Sequence, residues 1–269
     1  VKIHPTAIVE DGAVLGPEVE VGPYASIGRE AVVGAGCRIL AHAVLAGRVT
    51  LGERNLVGYG AVLGAPPQDL GYDETMASEV RIGDGNTFRE YVTVHRGSRD
   101  GHATTVGDGN FVMVGVHIGH DGRIGDRTII ANNCLLAGHV EIGDRAVLGG
   151  GTAFHQHMRV GRLAMVCGGT RFSRDIVPFA MGDGENLLAG LNVIGMRRAG
   201  FASETRLEIK RAFRLIFRSG RNLHDALEEA DGTEWGAEAR ELLDFVRTSK
   251  RGVCVDQPRN GSAPPDDEA

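Results

Sequence analysis

A chain of 269 residues with 40 glycines and 5% aromatic residues carries about twice the usual ~7% glycine and lacks the material for a large aromatic core. A formal net charge of −6 excludes a broad nucleic-acid footprint. No apolar run in the sequence approaches the ~18 residues of a membrane helix, which excludes a membrane span.

The chain opens on VKIHPTA, without an apolar signal core, and a cytoplasmic protein is expected. From Val9 an aliphatic residue then recurs every six positions: Leu15, Val21, Ile27, Val33, Ile39, Leu45, Leu51, Val57 and Leu63. Four residues after each of these up to Val57 stands a small residue, with Asn55 as the exception. A helix repeats every 3.6 residues and a simple strand every two, so a period of six fits neither. It predicts a coil with three flat sides, each hexad giving one short strand and one corner, with glycine at the turns.

The phase breaks at 65–79, resumes at Ile82, Phe88 and Val94, takes six extra residues, and runs from Val106 to Phe172. Residues 1–180 therefore read as a parallel β-helix, mainly β in class. A connection over 181–200 leads to a helical part over 201–254. There Ser203 is the expected N-cap of a first helix, and Asn222 and Thr233 of two more. Leu207, Phe213, Ile216, Phe217, Leu223, Leu227, Leu242, Leu243, Phe245 and Val246 are the expected apolar contacts. The polar, proline-rich stretch over 255–269 reads as a disordered tail. Cys37, Cys134, Cys167 and Cys254 show no paired spacing, so they predict reduced, packed thiols.

Seven histidines fall between 95 and 157. In an 18-residue coil His120 should stack on Gly138, and His139 on His157, while His117 ends the preceding hexad at a corner. Such a cluster suits general-base catalysis or a metal. Strand alternation alone does not decide whether Asp121 reaches His120.

Residues 111–143, FVMVGVHIGHDGRIGDRTIIANNCLLAGHVEIG, resemble the central signature of the UDP-N-acetylglucosamine O-acyltransferases that begin lipid A synthesis. IHPTAIVEDGA, QDL at 68–70, REYVTVHRGS at 89–98, GTAFHQ at 151–156, GLNVIGMRRAGF at 190–201 and RLIFRSGRNL at 214–223 extend the likeness to about residue 254. The resemblance implies a left-handed β-helix with a C-terminal helical cap, assembled as a homotrimer with clefts between prisms. It also implies a reaction without cofactor or metal: a 3-hydroxyacyl chain passes from acyl carrier protein to the glucosamine 3-hydroxyl of UDP-N-acetylglucosamine. By the same resemblance His120 is the general base, Asp121 its electrostatic support, and Gly138 the backbone N–H donor to the oxyanion. Gln68, Asp69, His117, His139, Gln156, Asn192, Arg197 and Arg198 are implied around the nucleotide sugar or acyl hydroxyl, and Gly168 and Asn186 at the acyl groove.

Three positions depart from the family pattern. Gly71 replaces a lysine after QDL, Ile194 replaces a glutamate, and Ala199 replaces the second of two arginines. They leave open a related acceptor, such as a 3-amino sugar giving an amide, and a non-catalytic sugar-binding scaffold. A β-helical zinc lyase is a third reading, although no histidine pair has the five-residue spacing such enzymes use.

Overall fold

A computed structural model describes residues 1–256. Two-residue strands dominate it, and they stack in parallel into sheets of twelve, nine and eight strands. The first three strands, Lys2–Ile3, Ile8–Val9 and Val14–Leu15, each begin one face, referred to below as first, second and third. Most partners within a face are 18 residues apart, as in Lys2 opposite Glu20 and Val14 opposite Val32. The result is a left-handed parallel β-helix.

The hexad pattern explains the core. Val21, Ile27, Val33, Ile39, Leu45, Leu51, Val57 and Leu63 are buried inside the prism together with Ala25, Ala31, Cys37, Ala43 and Ala61. Asn55, the exception among the small residues, begins a buried polar ladder at the corner between third and first faces. Its Oδ1 accepts from the backbone N–H and the side-chain amide of Asn86; Asn86 serves Asn110 likewise, and Asn110 serves Thr128. A buried amide is tolerated because each of its polar atoms finds a partner.

Glycine serves the turns as expected at corners such as Gly36, Gly60 and Gly151, all with positive φ, and does a second job besides. The left-handed corner position, three residues after the inward aliphatic, is often not glycine: Glu18, Tyr24, Arg54, Asp121, His139 and His157 all hold it. The glycine one residue after the aliphatic is required by crowding instead. A Cβ on Gly34 would lie 2.4 Å from the carbonyl oxygen of Gly52 in the next coil.

Two interruptions of the phase fall on one corner, between second and third faces. One is the loop at 66–78 between strands Val62–Ala65 and Glu79–Ile82; the other is 96–102, between Thr93–His95 and Ala103–Val106. Neither disturbs the prism, since Glu79–Ile82 still pairs with both Arg48–Leu51 and Ala103–Val106.

Residues 181–200 are more ordered than a plain connection. Strands Ala180–Gly182 and Leu187–Leu191 form an antiparallel pair on the first face, followed by helix α1, Val193–Arg198. Helices α2, Ser203–Arg218, α3, Leu223–Asp231, and α4, Ala237–Arg247, complete the cap. Asn222 caps α3 through its side chain, but Ala202 and not Ser203 is the N-cap of α2, and Gly236 and not Thr233 that of α4. Phe213, Ile216, Leu242, Leu243 and Val246 are buried, and Phe217, Leu227 and Phe245 pack partly buried against them. Leu207 and Leu223 are exposed, because the cap buries the side of α2 carrying Ile209 and Ala212. Val255–Asp256, expected within the tail, pairs with Leu187–Leu188 as a strand. The rest of the expected tail, 257–269, lies outside the described residues.

Arginines fasten the cap to the prism. Arg159 stacks on Phe245 at 4.2 Å, donates to its carbonyl at 2.9 Å and meets the buried carboxylate of Asp175. Arg162 pairs with Glu241 at 2.7 Å, and Arg218 with the buried Asp256 at 2.6 Å. Among the described residues no helix is long and apolar enough to cross a membrane.

Candidate active site

The corner between second and third faces gathers the histidines because a coil returns there every 18 residues. His120–Asp121, Gly138–His139 and His157 follow strands His117–Ile118, Leu135–Leu136 and Ala153–Phe154 of the second face. Backbone bonds lock the stack: His139 N–H donates to the His120 carbonyl at 2.9 Å, and His157 N–H to that of Gly138 at 3.0 Å. The expected neighbours meet. The rings of His139 and His157 stack at 4.3 Å. The His120 ring fills the space a side chain at Gly138 would need, since a Cβ there would fall 2.4 Å from Nε2.

Asp121 does reach His120. Its left-handed backbone, φ 59°, turns the carboxylate back toward the preceding ring, and Oδ2 lies 2.8 Å from His120 Nδ1. Oδ2 also accepts from the Ser98 N–H at 3.1 Å, while Oδ1 lies 2.9 Å from His102 Nδ1. Burial by itself would raise the Asp121 carboxyl, but the hydrogen bonds from His120, Ser98 and His102 overcome it and hold the group at about 2. An ionised carboxylate only accepts, so His120 donates from Nδ1 and keeps a lone pair on Nε2. That is the tautomer of a general base.

His120, Asp121 and His139 place one ligand atom each within 4.8 Å of one another. Two ligands on a tetrahedral zinc sit about 3.3 Å apart, whereas His120 Nδ1 and Asp121 Oδ2 are at hydrogen-bond separation, 2.8 Å. A hydrogen bond accounts for the closeness of His120 and Asp121, and His139 Nε2 stands 3.7 Å from the same carboxylate oxygen.

His117 is not at a corner. It sits on its strand, with Nδ1 2.8 Å from Thr93 Oγ1 and its ring edge-on to His95 at 4.9 Å. Burial, then the charge on His117 and His120, pushes His95 down to about 4. Burial lowers His117 and His139 too, with Asp121 opposing the shift at His139. The folded value of His95 lies below the unfolded ~6.5, so the stability it contributes is complete above pH 6.5 and is lost as pH falls toward 4. Denaturant unfolding should lose up to about 3 kcal/mol across that window from this group, and His95→Asn should flatten the slope. An unchanged slope would remove His95 as its source.

A cleft of about 890 Å³ opens beside the stack, lined by His102, Asp121, His139 and His157 and by the third-face residues Arg81, Arg123, Glu141 and Arg159, with Asp175, Thr248 and Lys250 at the cap end. Gln156 is exposed at the same corner. Gln68 and Asp69 are exposed in the 66–78 loop and do not line this cleft; Asp69 Oδ1 accepts from the Gly71 N–H at 2.9 Å, and Leu70 is fully exposed.

The remaining expected residues lie on other edges. Asn192 is buried and fully engaged: its Oδ1 caps α1 through the Gly195 N–H, and its Nδ2 donates to the Leu163 carbonyl at the corner between third and first faces. Those bonds place α1, whose Arg197 and Arg198 are exposed. Asn186 Oδ1 accepts from the N–H groups of Ser173 and Arg174 at 2.7 and 3.0 Å, so its side chain holds that turn. Gly168 sits between first and second faces, where a Cβ would lie 3.0 Å from the Gly150 carbonyl oxygen. The single chain thus brings His120, Asp121, Gly138, His139 and Gln156 to one corner and leaves Asn186, Asn192, Arg197, Arg198 and Gly168 on other edges.

Sequence reasoning left Ser98 and His102 without a role. The six-residue insertion hides them, because counting 18 back from Asp121 lands on Ala103.

Comparison with known proteins bears on this arrangement. Residues 175–254 match the family model described as UDP N-acetylglucosamine O-acyltransferase, domain 2. The chain is similar to the acyl-[acyl-carrier-protein]–UDP-N-acetylglucosamine O-acyltransferases of Syntrophobacter fumaroxidans and Rickettsia canadensis. The first is 43% identical over 94% of this chain and 99% of the relative, the second 48% over 94% and 97%. Among solved structures, the UDP-N-acetylglucosamine acyltransferase of Campylobacter jejuni aligns with TM-score 0.90 at 36% identity, covering 95% of this chain and 100% of that one.

Proposed function

This chain belongs to the family of acyl-[acyl-carrier-protein]–UDP-N-acetylglucosamine O-acyltransferases, and from that premise we propose that it acylates the glucosamine 3-hydroxyl of UDP-N-acetylglucosamine with His120 as general base. The donor is a 3-hydroxyacyl thioester of acyl carrier protein, and the reaction is the first step of lipid A biosynthesis. One observation carries the assignment of the base: Nδ1 of His120 is tied to an ionised carboxylate that lines the cleft, and Nε2 stands at Gly138.

Nε2 takes the sugar hydroxyl proton as the oxygen attacks the thioester carbonyl, and the imidazolium, held by Asp121, returns it to the leaving thiolate. The Gly138 N–H receives the developing oxyanion. His117, His139 and Gln156 hold the sugar. The other binding residues act across a cleft between copies in a homotrimer, with Arg197 and Arg198 on the diphosphate and Gly168 on the acyl chain. What supports that arrangement is their separation from His120 within one prism. The same reading puts Gln68 and Asp69 on a loop reaching the acyl hydroxyl or sugar. It puts the enzyme in the cytoplasm.

Purified protein given 3-hydroxyacyl carrier protein of several chain lengths, with UDP-N-acetylglucosamine and its 3-amino analogue side by side, should yield the ester of the first in mass spectra. Amide product from the analogue alone would move the acceptor to the 3-amino sugar. No acylated nucleotide sugar at any chain length would refute the reading.

A further inference from the structure

The carboxylate that orients His120 is gripped from its far side as well. Asp121 is almost fully buried and its two oxygens have separate partners: Oδ2 serves His120 and the Ser98 N–H, and Oδ1 serves His102. Ser98 and His102 both come from the 96–102 segment, the insertion that interrupts the repeat at this corner. An insertion whose backbone and side chain both end on one catalytic carboxylate is a brace for it.

The brace does not depend on the His102 ring for its own shape. Glu79 N–H donates to the His102 carbonyl at 3.1 Å, Gly101 N–H to that of Ala77 at 3.0 Å, and the Ala77 N–H to Asp100 Oδ1 at 2.7 Å. The ring itself is half exposed, 47% against 7% for Asp121, and lies in the cleft with Arg81, Arg123 and His139. Removing it therefore frees one oxygen of Asp121 without unmaking the loop. A competitor then waits on the other side, since His139 Nε2 lies 3.7 Å from Oδ2. A carboxylate held only by Oδ2 can turn toward that ring and away from His120 Nδ1.

We propose that His102 is a positioning residue of the acyl transfer: by donating from Nδ1 to Asp121 Oδ1 it keeps Oδ2 aimed at His120. This rests on the assignment of His120 as the base. The role needs a donor and no charge, because a neutral ring with its proton on Nδ1 serves as well as a protonated one. Asparagine carries an N–H at the place of Nδ1, two bonds beyond Cβ, and alanine carries none.

The experiment is a steady-state comparison of the parent, His102→Ala, His102→Asn and His120→Ala with acyl carrier protein thioester and UDP-N-acetylglucosamine, alongside thermal melts. Loss of one hydrogen bond to a charged group should lower kcat of His102→Ala about tenfold, with KM for both substrates within about twofold, as befits an effect on the chemical step. His102→Asn should stay within about threefold of the parent in kcat, since the donor is restored. An unchanged kcat in His102→Ala would overturn the proposal, as would a raised KM with kcat intact, which marks a substrate contact. Equal loss in the alanine and asparagine variants would overturn it too. Undiminished turnover by His120→Ala would instead sink the base assignment on which it stands.

Discussion

Replacing His120 by alanine should lower kcat about a thousandfold, the middle of the range for losing a general base, with little change in KM for either substrate. The sugar 3-hydroxyl is a poor nucleophile until its proton leaves, and the ring set against Gly138 is that of His120. His139 and His157 stack on one another, and His117 Nδ1 lies 2.8 Å from Thr93 Oγ1. The protein should fold normally, because the ring lies at a corner outside the prism core, over a glycine that makes no demand on it. Turnover measured by the appearance of acylated nucleotide sugar separates the alternatives. A loss under tenfold means another group removes the proton; a raised KM with unchanged kcat makes His120 a binding residue.

How far the sequence alone led depended on whether a feature repeats. The hexad is a strictly local signal, and it located the prism because every coil must bury one aliphatic residue per side. It also paired His120 with Gly138 and His139 with His157, since stacking needs nothing beyond an 18-residue count. The same count failed at the insertion, where Ser98 and His102 return to Asp121 after 23 and 19 residues. It was blind to direction as well. That Asp121 points back at His120 follows from a left-handed φ at the corner, and a residue-by-residue pattern carries no sign of it.

The cap was less legible for a related reason. Helix ends rest on a choice among adjacent residues, and Ala202 and Gly236 won over Ser203 and Thr233 because the chain enters α2 and α4 in an extended conformation set by packing. Exposure of Leu207 and Leu223 reflects which side of each helix meets its neighbours. Asn192 and Asn186 show a third limit. Their positions matched a family motif, and the hydrogen bonds both side chains make to backbone groups nearby were not visible in it.

Asp121→Asn should lower kcat about a hundredfold, well short of the ~10⁴ seen where such a change leaves the histidine in the wrong tautomer. The Ser98 N–H makes the difference. It is a fixed donor aimed at the atom that faces His120, so the amide must turn its oxygen there and its NH₂ toward His102. His102 can accept by moving its own proton to Nε2. His120 then still donates from Nδ1 and keeps its lone pair on Nε2. What disappears is the negative charge that stabilises the imidazolium. At ~5 Å and an effective dielectric of ~20 that charge is worth about 3 kcal/mol, or roughly a hundredfold. In the parent an acid limb of kcat/KM cannot belong to Asp121, whose carboxyl is held at about 2. A ten-thousandfold loss would mean that Ser98 does not control the amide, and an unchanged kcat would mean that the carboxylate does not support the charged ring.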